Sequence, residues 1–160
     1  RSTPGSGNFF LANSDEHDSL CYSTERGEER VARMKKRMTK LQTCQEQDMS
    51  APALFGPSEA AVTLVSWGSN KGSILEALKQ FPNVNFLHLT WLSPFPAEAV
   101  KEILKNSKYV IDIECNYTGQ LTQLIREKTG FDIEDKLLKY DGRPIFPEEI
   151  INKINQVMQK

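Results

Sequence analysis

The stretch from Tyr109 to Gly130, YVIDIECNYTGQLTQLIREKTG, restricts the folds open to this chain more than any other. Its first half alternates Tyr109, Ile111, Ile113 and Cys115 with Val110, Asp112, Glu114 and Asn116, which predicts a strand with one face in a core. The period then changes. Leu121, Leu124, Ile125 and Lys128 fall at helical spacing, with Thr118 the expected N-cap and Gly130 the expected residue just past the helix. A strand feeding a helix through a short polar turn is the unit of an open α/β sheet. Ligands and partners of such sheets meet the carboxyl ends of the strands, so Glu114 to Gln120 is the first place to look for function.

The same unit recurs upstream. Ala60 to Trp67 (AAVTLVSW) is nearly continuous in apolar residues, the pattern of a parallel strand covered on both faces. Gly68-Ser69-Asn70-Lys71-Gly72 follows as a turn, and Ile74, Leu75, Leu78 and Phe81 make the buried side of a helix. Val84 to Leu89 is a second strand, Ser93-Pro94-Phe95-Pro96 breaks the chain, and Ala97, Val100, Ile103 and Leu104 give another helix. Lys136 to Tyr140 reads as a short last strand and Asp141-Gly142 as a turn. Pro147 suits the first position of a terminal helix with Glu148 and Glu149 at its positive end and Ile150, Ile154, Val157 and Met158 as its stripe. Strands alternating with helices imply right-handed parallel crossovers. The expected class is therefore α/β, an open, mainly parallel sheet with helices on both faces.

Residues 1–25 carry little periodic signal: Pro4, Gly5 and Gly7, an apolar patch Phe9, Phe10, Leu11, then Asn13-Ser14-Asp15-Glu16-His17-Asp18. Adjacent side chains point in different directions and converge poorly on one ion, so this run reads as a turn in which His17 and its acidic neighbours satisfy one another. From Glu28 to about Glu46, Val31, Met34, Met38 and Leu41 step by three and four. Arg26 to Lys40 holds seven basic residues against two acidic ones, which fits a solvated face or an element docked on an acidic neighbour. Residues 26–47 are thus a basic amphipathic helix whose narrow seam covers one neighbour. Residues 48–58, with two prolines and a glycine, read as a linker.

At 160 residues, 39% hydrophobic and 26% charged, the chain can bury one core, and a net charge of −1 provides no general field for nucleic acid. No apolar run is long enough to span a bilayer, and RSTPGSGNFF is not a signal peptide, so no membrane role and a cytoplasmic location are expected. Cys21, Cys44 and Cys115 stand far apart without a C-x-x-C pair; each reads as a free thiol, and no metal site is expected. Arg1 in place of a methionine reads as the middle of a longer polypeptide.

Two turns are candidates for chemistry. In GSNKGS, backbone N–H groups at a helix N-terminus and the ammonium of Lys71 are placed to hold an anion, making Gly68, Ser69, Asn70 and Lys71 the candidate anion site. The spacing of a P-loop or a dinucleotide fingerprint is missing, and tight-turn glycines explain the segment equally well. Asn116-Tyr117-Thr118-Gly119-Gln120 offers amides and hydroxyls but no nucleophile paired with a base. His88, inside FLHLTWL, reads as a satisfied core or crevice histidine, and Glu114 as a strand-end carboxylate with a hydrogen-bond partner. The residues alone describe a non-catalytic α/β module.

VTLVSWGSNKGSILEAL (62–78), LHLTWLSPFPAEAV (87–100), IECNYTGQLTQLIREKTG (113–130) and LLKYDGRPIFPEEII (137–151) resemble the C-terminal part of the alpha subunit of 2-oxoacid:ferredoxin oxidoreductases of the 2-oxoglutarate and pyruvate type. NSDEHD (13–18) and ERVARMKKRMTKL (29–41) resemble segments that precede this part in the family, whereas Leu20-Cys21 stands where the family more often has an aromatic residue and glycine. The resemblance implies a transketolase C-terminal-like domain over 59–160 and the end of a pyrimidine-binding domain, or a connecting segment, over 1–25. It also implies an enzyme that decarboxylates 2-oxoacids on thiamine diphosphate with Mg2+, passes electrons through an iron–sulfur cluster to ferredoxin, and transfers the acyl group to coenzyme A. In that family the groups binding those cofactors lie on the beta (catalytic) subunit or upstream. The fragment is then expected to carry no catalytic residue, to bind no cofactor alone, and to be inactive in isolation. Coenzyme A or another anion would meet Gly68 to Lys71, and Glu114, Asn116, Thr118 and Gln120 would contact a neighbouring domain or subunit. The alternative is a stand-alone anion- or nucleotide-binding α/β module.

Overall fold

Strands buried on both sides organise the larger part of the molecule, as seen in a computed structural model that describes residues 2–9 and 11–160. Arg1, and Phe10 of the expected apolar patch, lie outside the described residues. The chain forms two units, Arg1–Met49 and Ser50–Lys160.

In the second unit the strands are β1 (Ala53–Phe55), β2 (Val62–Trp67), β3 (Val84–Leu89), β4 (Tyr109–Glu114) and β5 (Asp135–Leu138). They lie in the order β1-β3-β2-β4-β5, and all neighbours are parallel except β1 with β3. Side chains alternate between two apolar layers. Val62, Leu64, Phe86, Ile111 and Ile113 pack with Ile74 and Ala77 of α2 (Lys71–Leu78) and with Ile150, Ile154 and Val157 of α5 (Pro147–Met158). Val65, Leu87, Leu89 and Val110 pack with Val100 and Leu104 of α3 (Ala97–Leu104) and with Leu121 and Ile125 of α4 (Gln120–Thr129). Helices cover both faces of a mainly parallel sheet, the class that the strand–helix repeats predict.

Three local features differ from the sequence reading. Residues 48–58 contain a strand: Leu54 and Phe55 pair with Leu87 and Phe86, and the Phe55 and Phe86 rings stack at 5.8 Å. Three residues are too few for periodicity to register. Gly56 ends this strand at φ +94°, where an added Cβ would come within 2.8 Å of the Val84 carbonyl, so only glycine fits. Strand β4 has no solvent face; Val110 to Glu114 are all buried because β2 and β5 flank it and helices cover both its sides. Finally, β2 begins at Val62 rather than Ala60, and β5 spans Asp135–Leu138 rather than 136–140.

In the first unit, α1 (Gly27–Gln47) buries no residue, and Val31, Met34, Met38 and Leu41 are all exposed. Its basic side is engaged. Glu16 accepts from Arg37 at 2.5 Å and lies 3.7 Å from Arg30, while Arg33 Nε donates to the His17 carbonyl at 2.9 Å. The hydrogen bond and charge of Arg37 hold Glu16 below the usual carboxylate range. The acidic run therefore satisfies itself less through His17, whose Nδ1 lies 2.9 Å from the Asp18 carbonyl, than through the arginines of α1, whose guanidinium groups are the stronger partners. Asp18 Oδ1 accepts from the Leu20 and Tyr22 amides and closes the following turn. Cys21 in that turn has φ +69°, a left-handed conformation that costs a residue bearing a Cβ about 1–2 kcal/mol. Glycine adopts it freely. Cys21→Gly is expected to strengthen the turn by about 1 kcal/mol. Hydrogen exchange at the Asp18 and Cys21 amides, which bond to Tyr22 O and Asp18 O, should then slow, and unchanged exchange would refute the strain.

Candidate functional site

The chain passes from β2 to β3 on one side and returns to β4 on the other, so the strand order reverses between β2 and β4. The carboxyl ends of these two strands bring the two candidate turns together. In many α/β proteins a crevice opens at this point. Here side chains close it.

Trp67, the last residue of β2, donates its indole N–H to Glu114 Oε2 at 3.2 Å. Asn70 sits in the 3-10 turn Gly68–Asn70 and donates its amide to Ser66 Oγ at 3.2 Å and to the Ile113 carbonyl at 3.3 Å. The Asn70 Oδ1 accepts from Cys115 Sγ at 3.2 Å, and Ser66 Oγ donates to the Ile113 carbonyl at 2.6 Å. Lys71 is turned the other way, with Nζ 4.7 Å from the centre of the Phe55 ring, a cation–π contact. Of the four residues proposed for an anion, Gly68 and Ser69 are exposed, and Asn70 and Lys71 have their polar ends engaged within the fold.

Glu114 is fully buried at the end of β4 and organises the second turn. Its Oε1 accepts the Leu121 amide at 2.9 Å, and its Oε2 accepts Asn116 Nδ2 at 2.6 Å as well as the Trp67 indole. Asn116 Oδ1 in turn accepts the Thr118 and Gly119 amides at 3.1 and 2.8 Å. Thr118 is not the N-cap of α4. That position is held by Gly119 at φ +67°, and the free amide of the first turn is met by the Glu114 carboxylate, an anion at the positive end of the helix. Burial would raise the pKa of Glu114, but hydrogen bonds from Asp112, the Leu121 amide, Asn116 and Trp67 bring it below the usual carboxylate range. Burial also rules out Glu114 as a direct surface contact. Thr118 and Gln120 are exposed, and Asn116 is half-buried.

What faces solvent is aromatic and flat. Tyr117 and Tyr140, 70% and 65% exposed, meet edge to face with ring centres 4.8 Å apart. A shallow hollow of about 470 Å³ beyond them is lined by Cys115, Lys139, Tyr140, Gly142, Arg143 and Pro144. Lys139 is tied to Glu149 at 2.7 Å and Arg143 to Asp141. Another hollow, of about 400 Å³, lies at the ends of β2 and β3 beside His88, whose Nε2 is 3.4 Å from the Gly68 carbonyl. Among the described residues no three His, Cys, Asp or Glu side chains gather to hold a metal ion, and the three cysteines are free thiols. That donor set fits neither an iron–sulfur cluster nor Mg2+. No helix among the described residues is long and apolar enough to cross a membrane.

Trp67, Ser66 and Tyr140 belong to the site and were not singled out from the sequence. Their alternation and hydropathy match those of their neighbours, and only the parallel register of β4 with β2 on one side and β5 on the other brings them to Glu114 and its turn.

Residues 60–150 match the family described as pyruvate:ferredoxin oxidoreductase core domain II. The chain is 32% identical over 152 residues to the 2-oxoacid:ferredoxin oxidoreductase subunit alpha of Saccharolobus solfataricus, covering 91% of this chain and 24% of that one. It is 35% identical over 150 residues to the 2-oxoacid:ferredoxin oxidoreductase 2, subunit alpha of Aeropyrum pernix, covering 90% and 23%. It thus spans about a quarter of the length of these curated relatives. The fold is similar, with a TM-score of 0.78 and 25% identity, to the 2-oxoglutarate:ferredoxin oxidoreductase of Magnetococcus marinus, solved with 2-oxoglutarate, coenzyme A and succinyl-CoA bound. That match covers 97% of this chain and 28% of the other and is consistent with a transketolase C-terminal-like α/β fold.

Asn116 is the link between the buried carboxylate and the exposed turn. Asn116→Ala removes one donor to Glu114 and the acceptor of two amides, and is expected to destabilise the second unit by about 1–3 kcal/mol in urea unfolding. A loss below a few tenths would show that the turn is held by other contacts.

Proposed function

Given that the chain belongs to the pyruvate:ferredoxin oxidoreductase core domain II family, we propose that it is the C-terminal part of the alpha subunit of a 2-oxoacid:ferredoxin oxidoreductase. The complete enzyme oxidatively decarboxylates a 2-oxoacid to its acyl-CoA on thiamine diphosphate and reduces ferredoxin, and this part assembles and orients the subunits that hold the reacting groups. The transketolase C-terminal-like domain takes in 59–160 together with the edge strand β1, and 1–25 is the end of the preceding domain or a connecting segment, with the basic helix between them. Thiamine diphosphate, Mg2+ and the iron–sulfur cluster belong to other parts of the enzyme; thiamine diphosphate supplies the electron sink that side chains lack. The beta subunit is the direct partner, ferredoxin and coenzyme A act at the level of the complex, and the enzyme works in the cytoplasm.

The observation that carries this reading is the internal saturation of the strand ends. Glu114, Asn70, Ser66 and the Trp67 indole spend their hydrogen-bonding capacity on one another and on the backbone. A site of this kind has no poised acid, base or nucleophile to offer a substrate. It holds Tyr117, Thr118 and Gln120 on a rigid platform suited to contact a protein surface, with Asn116 and Glu114 acting from beneath. For an anionic group such as coenzyme A we assign the exposed backbone of Gly68 and Ser69, with Asn70 and Lys71 positioning that turn.

The isolated chain should show no 2-oxoacid-dependent ferredoxin reduction, and co-expression with the remaining parts of the alpha and beta subunits should restore it. Turnover by the 160 residues alone would overturn the proposal. In the reconstituted enzyme Gln120→Ala and Tyr117→Ala are expected to lower the yield of assembled complex while leaving kcat per assembled complex within about twofold, a loss of about 0.4 kcal/mol or less. A variant that assembles fully but loses only the chemical step would place the turn in the active site instead.

A further inference from the structure

Asp112 lies two residues before Glu114, so both side chains leave the same face of β4, and both residues are 0% exposed. The oxygens of this pair are accounted for with one exception. Thr122 Oγ1 donates to Asp112 Oδ2 at 2.7 Å, and Glu114 takes three N–H donors, whereas Asp112 Oδ1 is buried without a donor. A buried ionised oxygen left in that condition keeps its full desolvation penalty with nothing to offset it. Asp112 takes the Thr122 hydroxyl and Glu114 takes the Leu121 amide, from consecutive residues of α4, so the two carboxyl groups lie side by side beneath its first turn. Two carboxylates placed side by side away from water cannot both be ionised, and a proton on the one with fewer donors removes both problems.

We propose that Asp112 is carried as the neutral acid, that its Oδ1–H bridges to Glu114, and that this shared proton locks the β4–α4 turn and is released to solvent at alkaline pH. The bridge completes the donor set that holds the Glu114 carboxylate against the Leu121 amide, Asn116 and Trp67. Without the proton, two buried negative charges repel within that set, and Glu114 can keep its charge only by moving away. The groups facing the pair are the Thr122 hydroxyl and Leu121 amide from α4, the Trp67 indole from β2, and Lys136 from β5, which pairs with Asp112 in register. Lys136 is exposed, and its stem runs beside Gly119, so its charge opposes ionic repulsion only from the solvent side.

Burial first, then the hydrogen bond and charge of Glu114, push the Asp112 pKa up to about 8 against an ordinary value of 3.8. The folded chain therefore holds a proton that the unfolded chain releases. The stabilisation is complete below the ordinary value, declines as pH rises, and is lost once pH passes about 8. Glu114, lowered in the folded state, acts in the opposite sense at acid pH and leaves this alkaline limb to Asp112.

Side-chain carboxyl carbon NMR of the 160-residue chain between pH 4 and 9.5 tests the lock. Asp112 Cγ should titrate with a midpoint well above 6, and the Trp67 Nε1–H and Leu121 N–H signals should move with that same midpoint. Asp112→Asn, which keeps an acceptor for Thr122 and a donor for Glu114, should flatten both signals across this range and remove the alkaline fall in Tm. Thr122→Val, which deletes the donor to the ionised form, should move the midpoint higher. An Asp112 midpoint near 4 would overturn the proposal even if neither variant folded. Trp67 and Leu121 signals that stay still while Asp112 titrates would overturn the lock itself.

Discussion

The parallel pairing of β2 with β4 at the centre of the sheet is the constraint on which the rest of this structure depends. With β5 on the other edge and helices over both faces, it leaves β4 wholly buried and carries two acidic side chains into a region without water. Every polar atom there has to find a partner within the protein. The Trp67 indole, the Asn116 amide and the Leu121 amide of α4 turn inward to Glu114 for this reason. The helix begins where it does because a carboxylate is already waiting beneath its first turn.

That arrangement also explains why the strand ends are closed. An open α/β sheet ordinarily leaves the amides of a helix N-terminus free for a ligand's phosphate or carboxylate. In this chain Glu114 occupies that position at α4, and the neighbouring turn at Gly68–Asn70 is pinned by the Asn70 amide bonding across to β4. A second anion at α4 would meet the field of the first. The site has in effect bound its own side chain, and what remains outward is a platform of tyrosines and short polar groups. On the proposed reading, that surface meets a protein neighbour rather than a small substrate. The Asp112 proton adds a condition to this platform, since the geometry of the exposed turn depends on a group that no solvent molecule touches.

Much of the fold was legible in the residues. The apolar runs at 62–67 and 84–89, the change of period at 109–130, and Pro147 followed by two glutamates marked strands and helices because burial and helix dipoles leave periodic traces. The family was legible too, through six ordered blocks rather than through any one motif. The site was less so. Thr118 looked like a cap because the preference of threonine for that role is local, while the actual acceptor comes from Glu114, seven residues before the Leu121 amide that it receives. The strand β1 escaped notice because three residues show no period, and its stability comes from Phe55 lying on Phe86. Cys21 gave no sign of its left-handed backbone, since side-chain identity alone does not report φ.

The sequence by itself determined the α/β class, the alternation of strands and helices, and membership of the family, because these follow from short-range periodicity and from residue identity along the chain. Only the tertiary structure decided that β4 has no wet face and that Asp112 and Glu114 share a buried site with Trp67. Alternation of polar and apolar residues predicts one exposed face only when a strand lies at the edge of a core. Whether it does depends on strand order, and strand order is set by which crossovers pack together over the whole chain, not by any window of residues within it.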